Sequence, residues 1–112
     1  MARPTKFEIN DARAGAALTV SITGELDMST VQPLSEHINK HLSDGVTDLT
    51  LDLGDMVFMD STGLRLLIEL NNKAAGQSWR LKLKPPQDES AALVLRATGA
   101  DVNLPFVPGA DG

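Results

Sequence analysis

Leu18, Val20 and Ile22 alternate with Thr19 and Ser21, and Leu49, Leu51 and Leu53 alternate with Thr50 and Asp52. This is the period of strands with one buried face. Between and after them the spacing changes to that of helices: Val31, Leu34, Ile38 and Leu42 form one apolar stripe, and Leu64, Leu67 and Ile68 fall together on another. Phe7 to Asn10 and Ala17 to Thr23 are expected to form a hairpin across an Asp11 to Ala16 turn, where Gly15 can adopt positive φ. The first helix has Ser29 or Thr30 as cap, Pro33 in its first turn where proline is tolerated, and Gly45 at its end. Asp48 to Leu53 reads as a central strand, Gly54 to Asp60 as a loop, and Ser61 to about Ala75 as a helix closed by Gly76. Trp79 to Lys84 alternates again before Pro85-Pro86, and Ser90 can cap a helix through Leu93, Leu95 and Thr98 to Gly99. Leu104 to Val107 is expected to add a last short strand.

Alternating strands and helices predict a single α/β domain over 1–112, with a mixed central sheet of about four to five strands and helices packed on it. Its core is expected over about 7–107. Met1 to Thr5 and Pro108 to Gly112 have little to bury and are expected to fray.

Composition narrows the functional classes. A chain of 112 residues is one domain's length, enough for a single core between two layers. Its net charge of −5 and isoelectric point near 4.8 argue against a nucleic-acid partner, which requires a basic patch. There is no cysteine for a disulfide or thiolate site, no apolar run long enough to span a membrane, and no secretion-type apolar region at the N-terminus. A soluble, cytoplasmic protein without membrane insertion is expected. Asp44, Asp48, Asp52, Asp55 and Asp60 follow one another with no Lys or Arg between them, whereas Arg80, Lys82 and Lys84 alternate with Trp79, Leu81 and Leu83 and read as an exposed basic side of a strand.

The run Val57-Phe58-Met59-Asp60-Ser61-Thr62-Gly63-Leu64 carries the chemistry. It puts a carboxylate and two hydroxyls at a helix N-terminus, where free N–H groups and the positive dipole end receive hydroxyl caps and negative charge. Taken alone, Asp-Ser-Thr-Gly is what an ordinary capping sequence looks like. A second acidic segment, Gly24-Glu25-Leu26-Asp27, ends the earlier alternating stretch in the same way.

With these segments in this order, the chain resembles the STAS family, shared by anti-sigma factor antagonists and the cytoplasmic parts of sulfate transporters, and is most similar to the antagonists. Gly24 to Asp27 resembles the loop before that group's first helix, and Phe58 to Leu64 its phosphorylation-site segment; Leu93 to Gly99 resembles the last helix and its glycine stop. The likeness spans about Phe7 to Val107. Thr62 stands where many antagonists carry a second serine, and Arg65 where a small residue is frequent.

The resemblance implies a bacterial phosphoprotein that regulates transcription by partner switching. Unphosphorylated at Ser61, it would bind an anti-sigma factor that is also a serine kinase and so release a sigma factor. Phosphorylation of Ser61, or less readily Thr62, would end binding, and a PP2C-type phosphatase would reset the switch. Asp27, Met28, Ser29, Met59, Asp60, Ser61, Thr62, Gly63 and Arg65 would form the partner-binding surface, with Asp60 orienting the hydroxyl and Asp27 contacting the partner. Met28, Met56, Val57 and Met59 are apolar candidates for that contact, although methionines flanking strands more often fill the core. The alternative within the same fold is an accessory subunit of a membrane lipid ABC transporter that binds its ATPase.

Catalysis has less support in the residues. The nucleophile-elbow pattern Gly-x-Ser-x-Gly is absent, no catalytic residue is assigned, and without a Gly-x-x-x-x-Gly-Lys loop neither a nucleotide nor another cofactor is implied. His37 and His41 stand four apart on the first helix, a metal-binding spacing, but no third ligand is evident, so solvent-facing positions and no metal are expected.

Overall fold

The hairpin is longer than the apolar pattern indicated. In the computed structural model, which describes residues 6–107, β1 (Glu8–Ala14) pairs antiparallel with β2 (Ala17–Leu26), from Glu8↔Thr23 to Ala14↔Ala17. The connection shrinks to Gly15 and Ala16, with Gly15 at φ 64. Asp11 to Ala14, expected as turn, belong to β1. They are exposed on an edge strand, where ladder hydrogen bonds form without any apolar alternation to announce them. The two chain ends expected to fray lie outside the described residues.

Helix α1 (Val31–Ser43) crosses over to β3 (Asp48–Met59), and α2 (Ser61–Gly76) crosses over to β4 (Arg80–Lys84). The strand order is β1-β2-β3-β4, with β2, β3 and β4 parallel. Alternate residues along β2, β3 and β4, among them Leu18, Val20, Leu49, Leu51, Leu81 and Leu83, are buried beneath the helices. The α1 stripe falls as expected, with Leu34 and Ile38 fully buried.

The largest departure from the pattern is at Gly54 to Met59, read as loop and found as the second half of β3. Two register shifts against β2 account for it: Ser21↔Asp52 is followed by Thr23↔Asp55, and Gly24↔Met56 by Glu25↔Phe58. Each inserts one extra residue in β3, a bulge that changes the spacing of inward-facing side chains from two to three. Leu53, Met56 and Met59 therefore all point into the core, a period that does not read as a strand.

The buried face of α2 is Gly63, Leu66, Leu67, Leu70 and Ala74. Ile68, expected on that face, is 42% exposed. After Pro85-Pro86, α3 (Glu89–Thr98) is capped by Asp88, whose carboxylate accepts from the Ser90 and Ala91 amides, so Ser90 lies inside the helix and is not its cap. Gly99, with φ 78, ends α3, and a short α4 (Ala100–Asn103) follows that the sequence pattern did not indicate. The expected last strand is reduced to one parallel bridge, Leu83↔Phe106. Arg80, Lys82 and Lys84 are exposed as expected and lie opposite Asp48, Thr50 and Asp52 of β3; Arg80 Nε is 3.8 Å from Asp48 Oδ1.

Candidate functional site

The ends of β2 and β3 bring the two acidic segments together. Leu26 pairs with Met59, so the residues that follow them, Asp27 and Asp60, leave adjacent parallel strands side by side, and the Asp60 amide donates to the Leu26 carbonyl at 3.3 Å. Both helices that carry the site start here.

At the start of α2 the cap is a carboxylate. Asp60 Oδ1 accepts from the amides of Thr62 at 2.9 Å and Gly63 at 3.1 Å. Ser61 is therefore the first helical residue, exposed to solvent. The expected bond between Asp60 and the Ser61 hydroxyl is not found among the described residues; Asp60 shapes the turn through backbone amides instead. Asp60→Ala should accordingly cost about 0.5–2 kcal/mol of stability, whereas Ser61→Ala should stay within about 0.5 kcal/mol, as measured by urea denaturation.

The start of α1 is built differently from the expected hydroxyl cap. Asp27 Oδ1 accepts from the Ser29 amide at 2.9 Å and the Ser29 hydroxyl at 2.7 Å, while the Asp27 carbonyl accepts from the amides of Thr30 and Val31. Thr30 makes no side-chain cap. Its hydroxyl bonds back to the turn, donating to the Glu25 carbonyl at 2.8 Å and accepting from the Asp27 amide at 2.9 Å. The Ser29 hydroxyl, and then the Ser29 amide, hold the Asp27 carboxyl below its ordinary value, so it is ionised near neutral pH.

Exposure sorts the other expected contact residues. Met28 stands 75% exposed beside Asp27, and Ser29 and Arg65 are also exposed. Met59 is 1% exposed. It is corrected from contact residue to core residue, because the bulge at Val57 turns it inward beneath Gly63. Met56 is likewise core. The same bulge leaves Phe58, which sequence reasoning did not place on the contact surface, 43% exposed. Thr62 and Arg65 flank a shallow groove of about 250 Å³ between α1 and α2, closed on the far side by Val31, Gln32 and Ser35. A larger depression of about 700 Å³ lies at the opposite end of the sheet, around Ala17, Asp48 and Arg80, and has no part in this site.

Both histidines of the chain are remote from Ser61 in the hydrogen-bond network. They lie on the later turns of α1 and share the Asp11 carboxylate of β1. The third group that the sequence did not reveal is thus a strand residue brought across by the hairpin.

A family model described as "Mlab, STAS domain" matches residues 9–107. The chain belongs to the STAS domain family. Among curated relatives, it is 33% identical over 78 residues to the anti-sigma-F factor antagonist RsfB of Mycobacterium tuberculosis, a match covering 70% of this chain and 63% of that protein. It is 35% identical over 71 residues to osmosensory protein A of the same organism, covering 62% of this chain and 44% of that protein. The match thus spans less than two thirds of either relative. The crystal structure of an anti-sigma factor antagonist from Mycobacterium paratuberculosis superimposes with a TM-score of 0.79 at 24% identity, covering 95% of this chain and 89% of that one. The STAS architecture, a single α/β domain with a four-stranded mixed sheet, is common to both. Among the described residues, no helix of this STAS domain is long and apolar enough to cross a membrane.

Proposed function

We propose that this STAS domain is a cytoplasmic anti-sigma factor antagonist, a binding protein whose surface at the start of α1 and α2 docks onto an anti-sigma factor and thereby frees a sigma factor. Ser61 is the switch. Its free hydroxyl permits docking, phosphorylation by the anti-sigma factor as serine kinase ends it, and a PP2C-type phosphatase restores it. One observation carries this reading: Asp60 occupies the cap of α2, so the exposed Ser61 hydroxyl is not needed to hold the helix and is presented at the surface. The names of the relatives support the same direction.

Asp27, Met28, Ser29, Ser61, Thr62 and Arg65, with Phe58 added, supply the contact surface, and Asp60 and Gly63 shape it. Both histidines are committed to Asp11, so neither stands beside Ser61 as a general base for hydrolysis. The second reading is an accessory subunit of a membrane lipid ABC transporter that binds its ATPase, and the naming of Mlab in the matching family description favours it.

Paired affinity capture from host lysate, with Ser61→Ala and Ser61→Glu as baits, separates the two. The antagonist reading expects a kinase-like anti-sigma factor on the Ser61→Ala bait, depleted at least about tenfold on Ser61→Glu, since one buried like-charge contact is worth more than about 1.4 kcal/mol. Equal recovery of a transporter ATPase on both baits would overturn it.

A further inference from the structure

We propose that Asp11, His37 and His41 form a binding site for a divalent transition-metal ion, with zinc as its reference occupant. His37 Nε2 lies 2.8 Å from both oxygens of Asp11, and His41 Nε2 lies 3.1 Å from Asp11 Oδ2. The ligand atoms of the three residues all fall within 4.8 Å of one another. Two imidazoles and one carboxylate are a borderline-soft donor set, suited to zinc and its neighbours and ill suited to calcium or magnesium.

The placement comes from two elements that the core holds in position. On α1, the spacing of four puts both imidazoles on one face, and Ile38 between them in sequence is fully buried, which fixes the rotation of the helix. On β1, Asp11 pairs with Val20, whose side chain is also fully buried. Directly opposed residues share a face of the sheet, so Asp11 faces the helices. The imidazole side chains are 30% and 21% exposed and that of Asp11 28%, partly shielded yet open on one side.

A zinc ion with ligands at about 2.0–2.2 Å in tetrahedral array needs its donor atoms about 3.3 Å apart. Opening the two histidine–Asp11 distances by up to about half an ångström, and bringing the two Nε2 atoms, which lie within 4.8 Å, to the same spacing, takes only side-chain rotation and admits the ion. Each neutral imidazole would then bind through Nε2 and carry its proton on Nδ1. Three protein ligands leave a fourth position for water or for a donor from a docked protein. The ion would clip the edge strand β1 to α1, the helix whose other end carries the Asp27 turn.

The test uses the full chain without an affinity tag, titrated with zinc sulfate. Because the chain has only these two histidines, long-range ¹H–¹⁵N NMR spectra report the site without ambiguity. One equivalent of zinc should move both Nε2 resonances. His37→Gln, His41→Gln and Asp11→Asn should each weaken binding by at least about tenfold, since even loss of an outer partner of a metal ligand costs about 10–100-fold. Far-UV circular dichroism checks that the variants remain folded. Unmoved Nε2 resonances, or zinc affinity unchanged by His41→Gln in a folded protein, would overturn the proposal and leave the trio as a hydrogen-bonded clip. Neither result depends on the role of Ser61.

Discussion

Gly63→Ala should lower the unfolding free energy by about 1–3 kcal/mol, the usual range for overpacking a filled interior, and Gly63→Val by more. Gly63 is fully enclosed at the start of α2, where a Cβ would sit 2.5 Å from the Leu26 carbonyl oxygen and 2.9 Å from both Leu26 Cγ and Met59 Cγ. The first contact is backbone, so no rotamer change relieves it. That same carbonyl accepts the Asp60 amide, and the added methyl must therefore push α2 away from β2 where Asp27 and Asp60 come together. Helix propensity acts in the other direction, favouring alanine by about 1 kcal/mol. Gly76, at the other end of the same helix, is the internal comparison: nothing lies within 4 Å of its Cβ position, so Gly76→Ala should be neutral or stabilising by about 0.4–1 kcal/mol. Urea denaturation of the three variants checks both signs. A Gly63→Ala protein as stable as the Gly76→Ala protein would mean that α2 and β2 are not in the close contact described.

This glycine also marks how far the sequence could be read. Helices and parallel strands were legible because Leu34 and Ile38, or Leu49 and Leu51, repeat at periods that only one element type satisfies. Legibility failed where a second constraint altered the period. Two bulges in β3 space Leu53, Met56 and Met59 three apart, which concealed half a strand and placed Met59 on the wrong side of the surface. At the exposed edge strand β1, hydrogen bonding needs no apolar side chain, so Asp11 to Ala14 passed as a turn and the carboxylate beside His37 and His41 went unseen. In the acidic segments, the residue types pointed to helix starts, but several groups compete for the same amides. Asp60 takes those of Thr62 and Gly63, and Ser29 is held by Asp27 rather than capping α1. Only the folded chain resolves which competitor wins.

Phosphorylation of Ser61 should weaken anti-sigma factor binding by about two to three orders of magnitude without unfolding the domain, and Asp27→Asn should return part of that loss. A phosphoserine adds about −1.5 to −2 charges. At many helix starts free amides would welcome it, but here the Asp60 carboxylate already holds two of them, and the ionised Asp27 stands at the end of the neighbouring strand. Taking about 6 Å as a round separation for groups at the ends of adjacent strands, like unit charges repel by about 0.7 kcal/mol in water and by about 2.8 kcal/mol at an effective dielectric of about 20. In the free domain the phosphate therefore costs little. Docking strips the water, and the difference, about 2 kcal/mol per added charge, falls on the interface, for a total of about 3–4 kcal/mol. The check is a double-mutant cycle by calorimetry, in which the unchanged chain and the Asp27→Asn variant are each measured with Ser61 phosphorylated and unphosphorylated. A coupling of more than about 1 kcal/mol is expected; additivity within about 0.5 kcal/mol would place the repelling charges on the partner alone. Because the penalty is electrostatic, it should also shrink as salt is raised towards 1 M, where the screening length falls to about 3 Å. A switch that instead worked by refolding the start of α2 would keep its strength in salt.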